Sequence, residues 1–419
     1  MLYFFKVERR WGMKKILFIG ILFISLIIGR GIMLVNDTPQ EQIKLNENVE
    51  LAIYLNDEEI DFFPEKNNQE GYVFDKAVCY INGQESDKVT VTWDRKLWAP
   101  VIQGLSEYKT HCDLYFREST FSDFLIACND DKNAAECFLE NASLLPEELA
   151  YDETTDNNLR YIGANPNNYV SFNGELWRII GIMNNIDDGT GTKETRLKII
   201  RDESIGKYSF DNTGEYGNND WSSGALQKVL NEGAYWNRGS GECPFGNNGA
   251  VTSCDFSAIG LTAEAKALFS PVLWNLGRSS TYEDVLASMF YERERGTDVY
   301  EGHSTEWIGN VGFMYPSDYG YATSGGSTTN RETCLQTSLY NWKNFEDCYS
   351  NDWLNRKIST WTLTPLNSTI VFHANVNFVN GSHAYSTYVD ILPVVYLKTN
   401  IRIVAGEGKK ENPYILSLP

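Results

Sequence analysis

Eight cysteines fall into four close pairs along the chain: Cys79 with Cys112, Cys128 with Cys137, Cys243 with Cys254, and Cys334 with Cys348. An even cysteine count at short spacings, behind a basic and then apolar amino terminus, is the pattern of a disulfide framework. Disulfides persist outside the reducing cytosol, so the pattern constrains the compartment as well as the fold. The spacing predicts four local bridges that staple loop-rich units.

Lys6, Arg9, Arg10, Lys14 and Lys15 precede an uncharged apolar run over residues 16–29, and Arg30 separates that run from residues 32–35. A basic flank followed by about 7–15 apolar residues is the signal-peptide pattern, whereas a spanning helix needs roughly 20. Residues 16–35 just reach that length, and no small-x-small cleavage site follows. Residues 1–35 therefore read as a signal peptide or, in preference, as an uncleaved single-pass anchor with the bulk of the chain outside. A cleaved leader would give a secreted protein instead, and Met13 offers a second start. Asp and Glu outnumber Lys and Arg 56 to 36, for a formal net charge of −20. Such a field repels phosphate backbones and excludes nucleic acid as a natural partner.

Residues 36–48 carry no periodicity and read as a linker. Val49, Leu51, Ile53 and Leu55 then alternate with Glu50, Ala52 and Tyr54, which is strand periodicity. Further short strands surround Tyr72 and Phe74, Cys79 to Ile81, Val89 to Trp93, and Cys112 to Phe116, with the hairpin dipeptide Asn82-Gly83 between two of them. Residues 49–118 are thus expected to form a small all-β sandwich. Cys79…Trp93…Cys112 resembles an immunoglobulin arrangement at shortened spacing, so the expectation is immunoglobulin-like in architecture alone. Residues 119–157 read as a helical connector with its own bridge.

Residues 158–419 are expected to form a larger α+β domain with long ordered loops. Tyr169 to Phe172, Asn173-Gly174 and Glu175 to Met183 spell a hairpin, and Arg196 to Arg201 extends it to a meander. Three helices are expected next: one capped by Ser222 or Ser223, one opened by Thr262, and one running from Ser280 or Thr281 to Gly296. Short aromatic strands follow towards the carboxyl end, so strands at both ends of the domain are expected to meet in one sheet.

Motifs that would carry catalysis are missing. The four histidines (His111, His303, His373, His383) form no HExxH, and no GxSxG or phosphate-binding loop is present. The chain therefore does not read as an enzyme, and no cofactor is implied. Asn-Asp-Trp occurs twice, at Asn219-Asp220-Trp221 and Asn351-Asp352-Trp353. Loop carboxylates of this kind suit Ca²⁺; the favoured alternative is a loop whose Asp or Asn caps the next helix while its Trp anchors in the core. The stretch from Met314 to Gly326, with Tyr315, Asp318, Tyr319 and Tyr321, is the most distinctive in the chain. Together with Trp353 it supplies the candidate binding residues, because exposed aromatic faces stack on sugars and fill protein interfaces. Packing of a loop-rich fold is the competing reading of the same residues. Asn141, Asn367 and Asn380 lie in glycosylation-type sequons.

The segments Tyr169-Val-Ser-Phe-Asn-Gly-Glu-Leu-Trp-Arg-Ile-Ile-Gly-Ile, Lys198-Ile-Ile-Arg-Asp-Glu-Ser-Ile-Gly, Met314-Tyr-Pro-Ser-Asp-Tyr-Gly-Tyr-Ala and Leu392-Pro-Val-Val-Tyr-Leu-Lys occur together here. As a set they resemble uncharacterised exported surface proteins of gut-associated Gram-positive bacteria, built as a membrane segment, a small β module and a domain of unknown function. More distantly, the aromatic strand signatures and Trp361-Thr-Leu-Thr-Pro365 are similar to C-type-lectin-like and formylglycine-generating-type folds. The chain departs from calcium-dependent lectins in having Asn-Asp-Trp where they carry Trp-Asn-Asp. The expectation that follows is a membrane-tethered recognition or adhesion module, held by residues 16–35 and binding extracellular glycan or protein through aromatic loops. A cell-envelope hydrolase with a dispersed site and a purely architectural surface protein are the alternatives.

Overall fold

A computed structural model describes residues 49–61, 63, 71–94, 98–104, 108–128 and 132–419, with the backbone of three two-residue strands ahead of them. The membrane-segment and linker readings fall almost wholly outside these residues. Among the described residues no helix is long and apolar enough to cross a membrane. The chain divides into two compact units, residues 1–123 and 124–419. Strands predominate in both, and they are distributed over several sheets.

In the first unit, β1 (Val49–Leu55), β2 (Tyr72–Ile81) and β5 (Thr110–Glu118) form one sheet with β5 in the middle, while β3 (Thr90–Asp94) and β4 (Ala99–Gln103) form a second. The alternation at 49–55 works as expected: Val49 and Leu51 lie in a core that also takes Cys79, Val89, Ile102, Cys112, Leu114 and Phe116 from both sheets. Trp93 stands edge-on to Phe116 at 4.9 Å and stacks near Phe74 at 5.9 Å. At the turn after β2, Asn82 and Gly83 have φ of 51° and 79°, the left-handed pair that an Asn-Gly hairpin demands.

Two features depart from the simple hairpin reading. β1 joins β5 in parallel, in register from Val49 beside Thr110 to Leu55 beside Phe116. Cys79 and Cys112 sit directly opposite one another on the antiparallel β2–β5 pair. The bridge therefore ties neighbouring strands within a sheet and does not pin the two sheets together.

In the second unit the chain builds a nine-stranded sheet. β6 (Leu149–Tyr151) pairs with β7 (Leu159–Tyr161), which pairs with the long β9 (Glu175–Asp187); β8 (Tyr169–Phe172) and β10 (Lys193–Arg201) flank β9. Gly181 is required on β9, because a Cβ there would lie 2.3 Å from the Leu159 carbonyl oxygen of β7. The expected meeting of the domain's ends occurs: the carboxyl-terminal strand at Tyr414–Ser417 runs parallel to β8. On the other side, the strand at Val394–Tyr396 pairs with β10.

The expected connector is not separate. Residues 124–157 belong to the second unit. Helix α1 (Ala134–Asn141) starts with a complete Asn133–Glu136 capping box and buries Phe138 against Tyr161 and Tyr414. An apolar helix face with that much aromatic company belongs in a core. Thr262 does cap a short helix, at Ala263–Ala267, as expected. Ser222, Ser223, Ser280 and Thr281 do not act as caps: the helices there begin later, at Ala225 (α2, Ala225–Asn231) and Ala287 (α3, Ala287–Glu294), without a side-chain cap from those residues. The hairpin of Ser240–Pro244 with Val251–Asp255, closed by Cys243–Cys254, was not signalled by any periodicity.

All four bridges join the expected partners, including Cys128–Cys137 and Cys334–Cys348. No cysteine is left free.

Candidate functional site

The five residues expected to bind are not at the surface. Tyr315, Asp318, Tyr319, Tyr321 and Trp353 are all 3% exposed or less. The distinctive stretch folds into helix α4 (Pro316–Tyr321), whose six residues are all buried. Tyr315 exchanges 3.0 Å hydrogen bonds with the Asn275 backbone, Tyr319 packs on Trp342 at 5.5 Å, and Trp353 donates to the Tyr161 carbonyl at 2.9 Å. The packing alternative therefore describes these aromatics, and the surface reading is corrected at all five positions.

Asp318 is instead the centre of a buried ionic network. Its Oδ1 accepts from Arg160 Nη1 at 2.5 Å, and its Oδ2 accepts from Lys198 Nζ at 2.5 Å and from the Tyr315 amide at 2.8 Å. Arg160 also donates to Asp152 at 3.0 Å. Nearby, Glu294 accepts from the Ser317 amide at 3.0 Å and from its hydroxyl at 2.5 Å. Burial alone would raise Asp318, but the Lys198 ammonium and Arg160 guanidinium outweigh it and hold the carboxyl at about 2. Burial pulls Lys198 down to about 8 against the pull of Asp318, and pushes Glu294 up to about 7. With every oxygen of Asp318 engaged, this network offers no open face to a ligand.

Neither Asp of the Asn-Asp-Trp motifs caps a helix as expected: α2 starts from Gly224 without a side-chain bond, no helix follows Asp352, and each Asp closes a local turn instead. Asp220 Oδ1 accepts from the Ser222 amide at 3.0 Å and Asp352 Oδ1 from the Leu354 amide at 2.8 Å, while Trp221 and Trp353 are buried. Among the described residues no group of three or more His, Cys, Asp or Glu side chains is placed to hold a metal ion. A hydroxyl–imidazole pair exists, with Ser382 Oγ 3.1 Å from His373 Nε2, but His373 Nδ1 has no partner to orient it. Burial lowers His373 to about 4, which leaves a weak base, and the Ser382 hydroxyl also engages Tyr388. The pair lacks what a nucleophile needs.

What remains at the surface is an aromatic patch that the sequence did not single out. Tyr216 and His383 have ring centroids 5.2 Å apart, and His383 stacks on Tyr385 at 5.5 Å with planes 20° apart. Tyr216 is 44% exposed, and Tyr388, next along the same segment, is 54% exposed. The local sequence explains the placement. Asp211 folds the 211–218 loop by accepting from the amides of Thr213 (2.8 Å) and Asn218 (2.9 Å), and anchors it to α2 through the Ala225 amide at 2.8 Å. Gly217, at φ +76°, lies so close to the 384–385 segment that a Cβ would come within 2.9 Å of Ala384. Ser209 fastens that segment from below through the Tyr385 carbonyl at 2.7 Å. The Glu215 carboxylate bonds the Tyr216 hydroxyl and pushes it upward from its ordinary range. Residues 211–213 of the same loop also line a cleft of about 660 Å³, together with Lys228 and Glu232 of the α2 region and Glu242 of the Cys243–Cys254 hairpin.

No protein-family model, no curated protein and no solved structure matches the chain.

Proposed function

We propose that this is an exported recognition module whose second unit binds extracellular glycan through the Tyr216–His383–Tyr385 patch. The single observation that carries the reading is the stacked, partly exposed row of rings on two loops that backbone and carboxylate bonds hold rigid. A sugar's apolar C–H face packs on such rings while its hydroxyls keep water or reach neighbouring polar groups, and a preorganised platform lowers the ordering cost of binding. Contiguous exposed aromatic surface of this kind marks interaction sites. Four disulfides support maturation outside the cytosol. The immunoglobulin-like and C-type-lectin-like labels for the two units belong to the same proposal, as does tethering through residues 16–35.

The test is a glycan array followed by titration of the best-bound sugar. Tyr216→Ala and Tyr385→Ala should each weaken binding by about 2 kcal/mol, roughly thirtyfold, with the fold intact. Unaltered binding in both variants, or selective capture of protein rather than sugar, would overturn the glycan reading.

A further inference from the structure

We propose that Lys198 and Asp318 are a site of spontaneous intramolecular amide formation, a covalent tie between the central sheet and helix α4. The two side chains are 120 residues apart in the chain, yet Nζ lies 2.5 Å from Oδ2. Both are sealed from solvent, at 1% and 2% side-chain exposure. Aromatic rings wall the amine: its nitrogen is 4.5 Å from the Tyr315 centroid, 5.3 Å from Tyr396 and 5.8 Å from Trp274. Three donors, from Lys198, Arg160 and the Tyr315 amide, fix the carboxyl in front of that nitrogen. Holding reactants this way makes a slow bimolecular condensation an effectively unimolecular one.

The chemistry balances without any co-reactant. A proton passes from the Lys198 ammonium to Oδ2 of Asp318, leaving an amine and a carboxylic acid. The Nζ lone pair attacks Cγ, and the negative charge that develops on Oδ1 faces Arg160 Nη1, 2.5 Å away. A second proton moves from Nζ to Oδ2, the Cγ–Oδ2 bond breaks, and one water leaves. An amide N–H remains on what was Lys198. Charge stays balanced in the core, because Arg160 keeps its partner Asp152 at 3.0 Å. The change also removes a buried ion pair whose desolvation cost commonly exceeds its Coulombic return. Burial draws Lys198 down to about 8 while Lys198 and Arg160 hold Asp318 at about 2, so the pair rests ionised and the first proton transfer is uphill, which makes closure of the amide slow. Such a tie would suit a protein that must resist pulling or proteolysis outside the cell, but the inference does not depend on the glycan reading.

The experiment is tryptic peptide mapping of the purified full chain, reduced and alkylated, with fragment sequencing by mass spectrometry. Residues 197–201 and 296–331 should be recovered as one branched peptide, lighter than the two together by one water, with cleavage at Lys198 blocked. Recovery of the two peptides only in separate, full-mass form would overturn the proposal. A Lys198→Met chain should lose the branched species; persistence of the missing water in that variant would place the dehydration elsewhere and equally overturn it. Absence of glycan binding alone would leave this result untouched.

Discussion

The two units solve stability differently. The first has a thin core shared by two small sheets, and its one bridge crosses directly between core strands β2 and β5. The second has a broad sheet and can bury Arg160, Lys198, Asp318 and Glu294 in its interior. Its three bridges close short segments, of sequence separation 9, 11 and 14, and none joins the residues of that ionic centre. The comparison teaches that a disulfide can replace core in a small unit, while a large unit can carry an internal polar network and use disulfides as local clips.

The largest expected effect breaks the second unit alone. Asp318→Ala strips Arg160 and Lys198 of their shared acceptor, and uncompensated buried charge of this kind costs about 3–5 kcal/mol. Hydrogen exchange followed peptide by peptide should show residues 159–201 and 311–321 opening while residues 72–81 and 110–118 keep their protection. Equal loosening of both sets would mean that the units are not separate.

Next comes the converse. Cys79→Ser with Cys112→Ser should cost about 2–4 kcal/mol and open the first unit without touching the second. Cys243→Ser with Cys254→Ser should cost about 1 kcal/mol less, since the loop it closes spans 11 residues rather than 33. Equal losses in chemical denaturation would erase the contrast between a core bridge and a clip.

A smaller effect is pH-dependent. Glu294 rises from 4.5 to about 7 because burial penalises its charged form. Between those two pH values the folded chain holds a proton that the unfolded chain releases, so this group's contribution falls as pH rises through that window. Glu294→Gln should flatten that part of the stability profile of the second unit and leave the first unchanged. A profile as steep as the wild type's would show that another group titrates there.

How much of this was legible in the sequence follows from which signals are local. The four bridges, the Asn82-Gly83 and Asn173-Gly174 turns, with φ of 51°, 79°, 59° and 74°, and the 49–55 alternation all depend on neighbours in the chain. Asp220 and Asp352 also bond locally, two residues on, but they close turns rather than cap the helices expected there. Tyrosine, by contrast, does not declare a face. Met314 to Gly326 holds a six-residue helix, too short for a 3.6-residue period to separate inside from outside. Asp318 was chosen correctly as unusual but for the wrong chemistry, because its partners at 160 and 198 are brought by the sheet. The surface patch is harder still: Tyr216 and His383 are joined only by loop geometry at Gly217. The parallel β1–β5 pairing likewise leaves no trace in periodicity.

The smallest effect sharpens the division between core and surface rings. Tyr216→Ala should change stability by no more than about 0.5 kcal/mol, whereas Tyr319→Ala, which empties a site packed on Trp342, should cost about 3–5 kcal/mol. Similar melting shifts for the two variants would contradict the burial described above.

A stapled fold maturing outside the reducing cytosol is most directly tested by peptide mapping of the native, non-reduced protein. The expected result is four bridges, Cys79–Cys112, Cys128–Cys137, Cys243–Cys254 and Cys334–Cys348, each within its own unit. Free thiols at two or more of these pairs, or any bridge joining residues of one unit to the other, would contradict it.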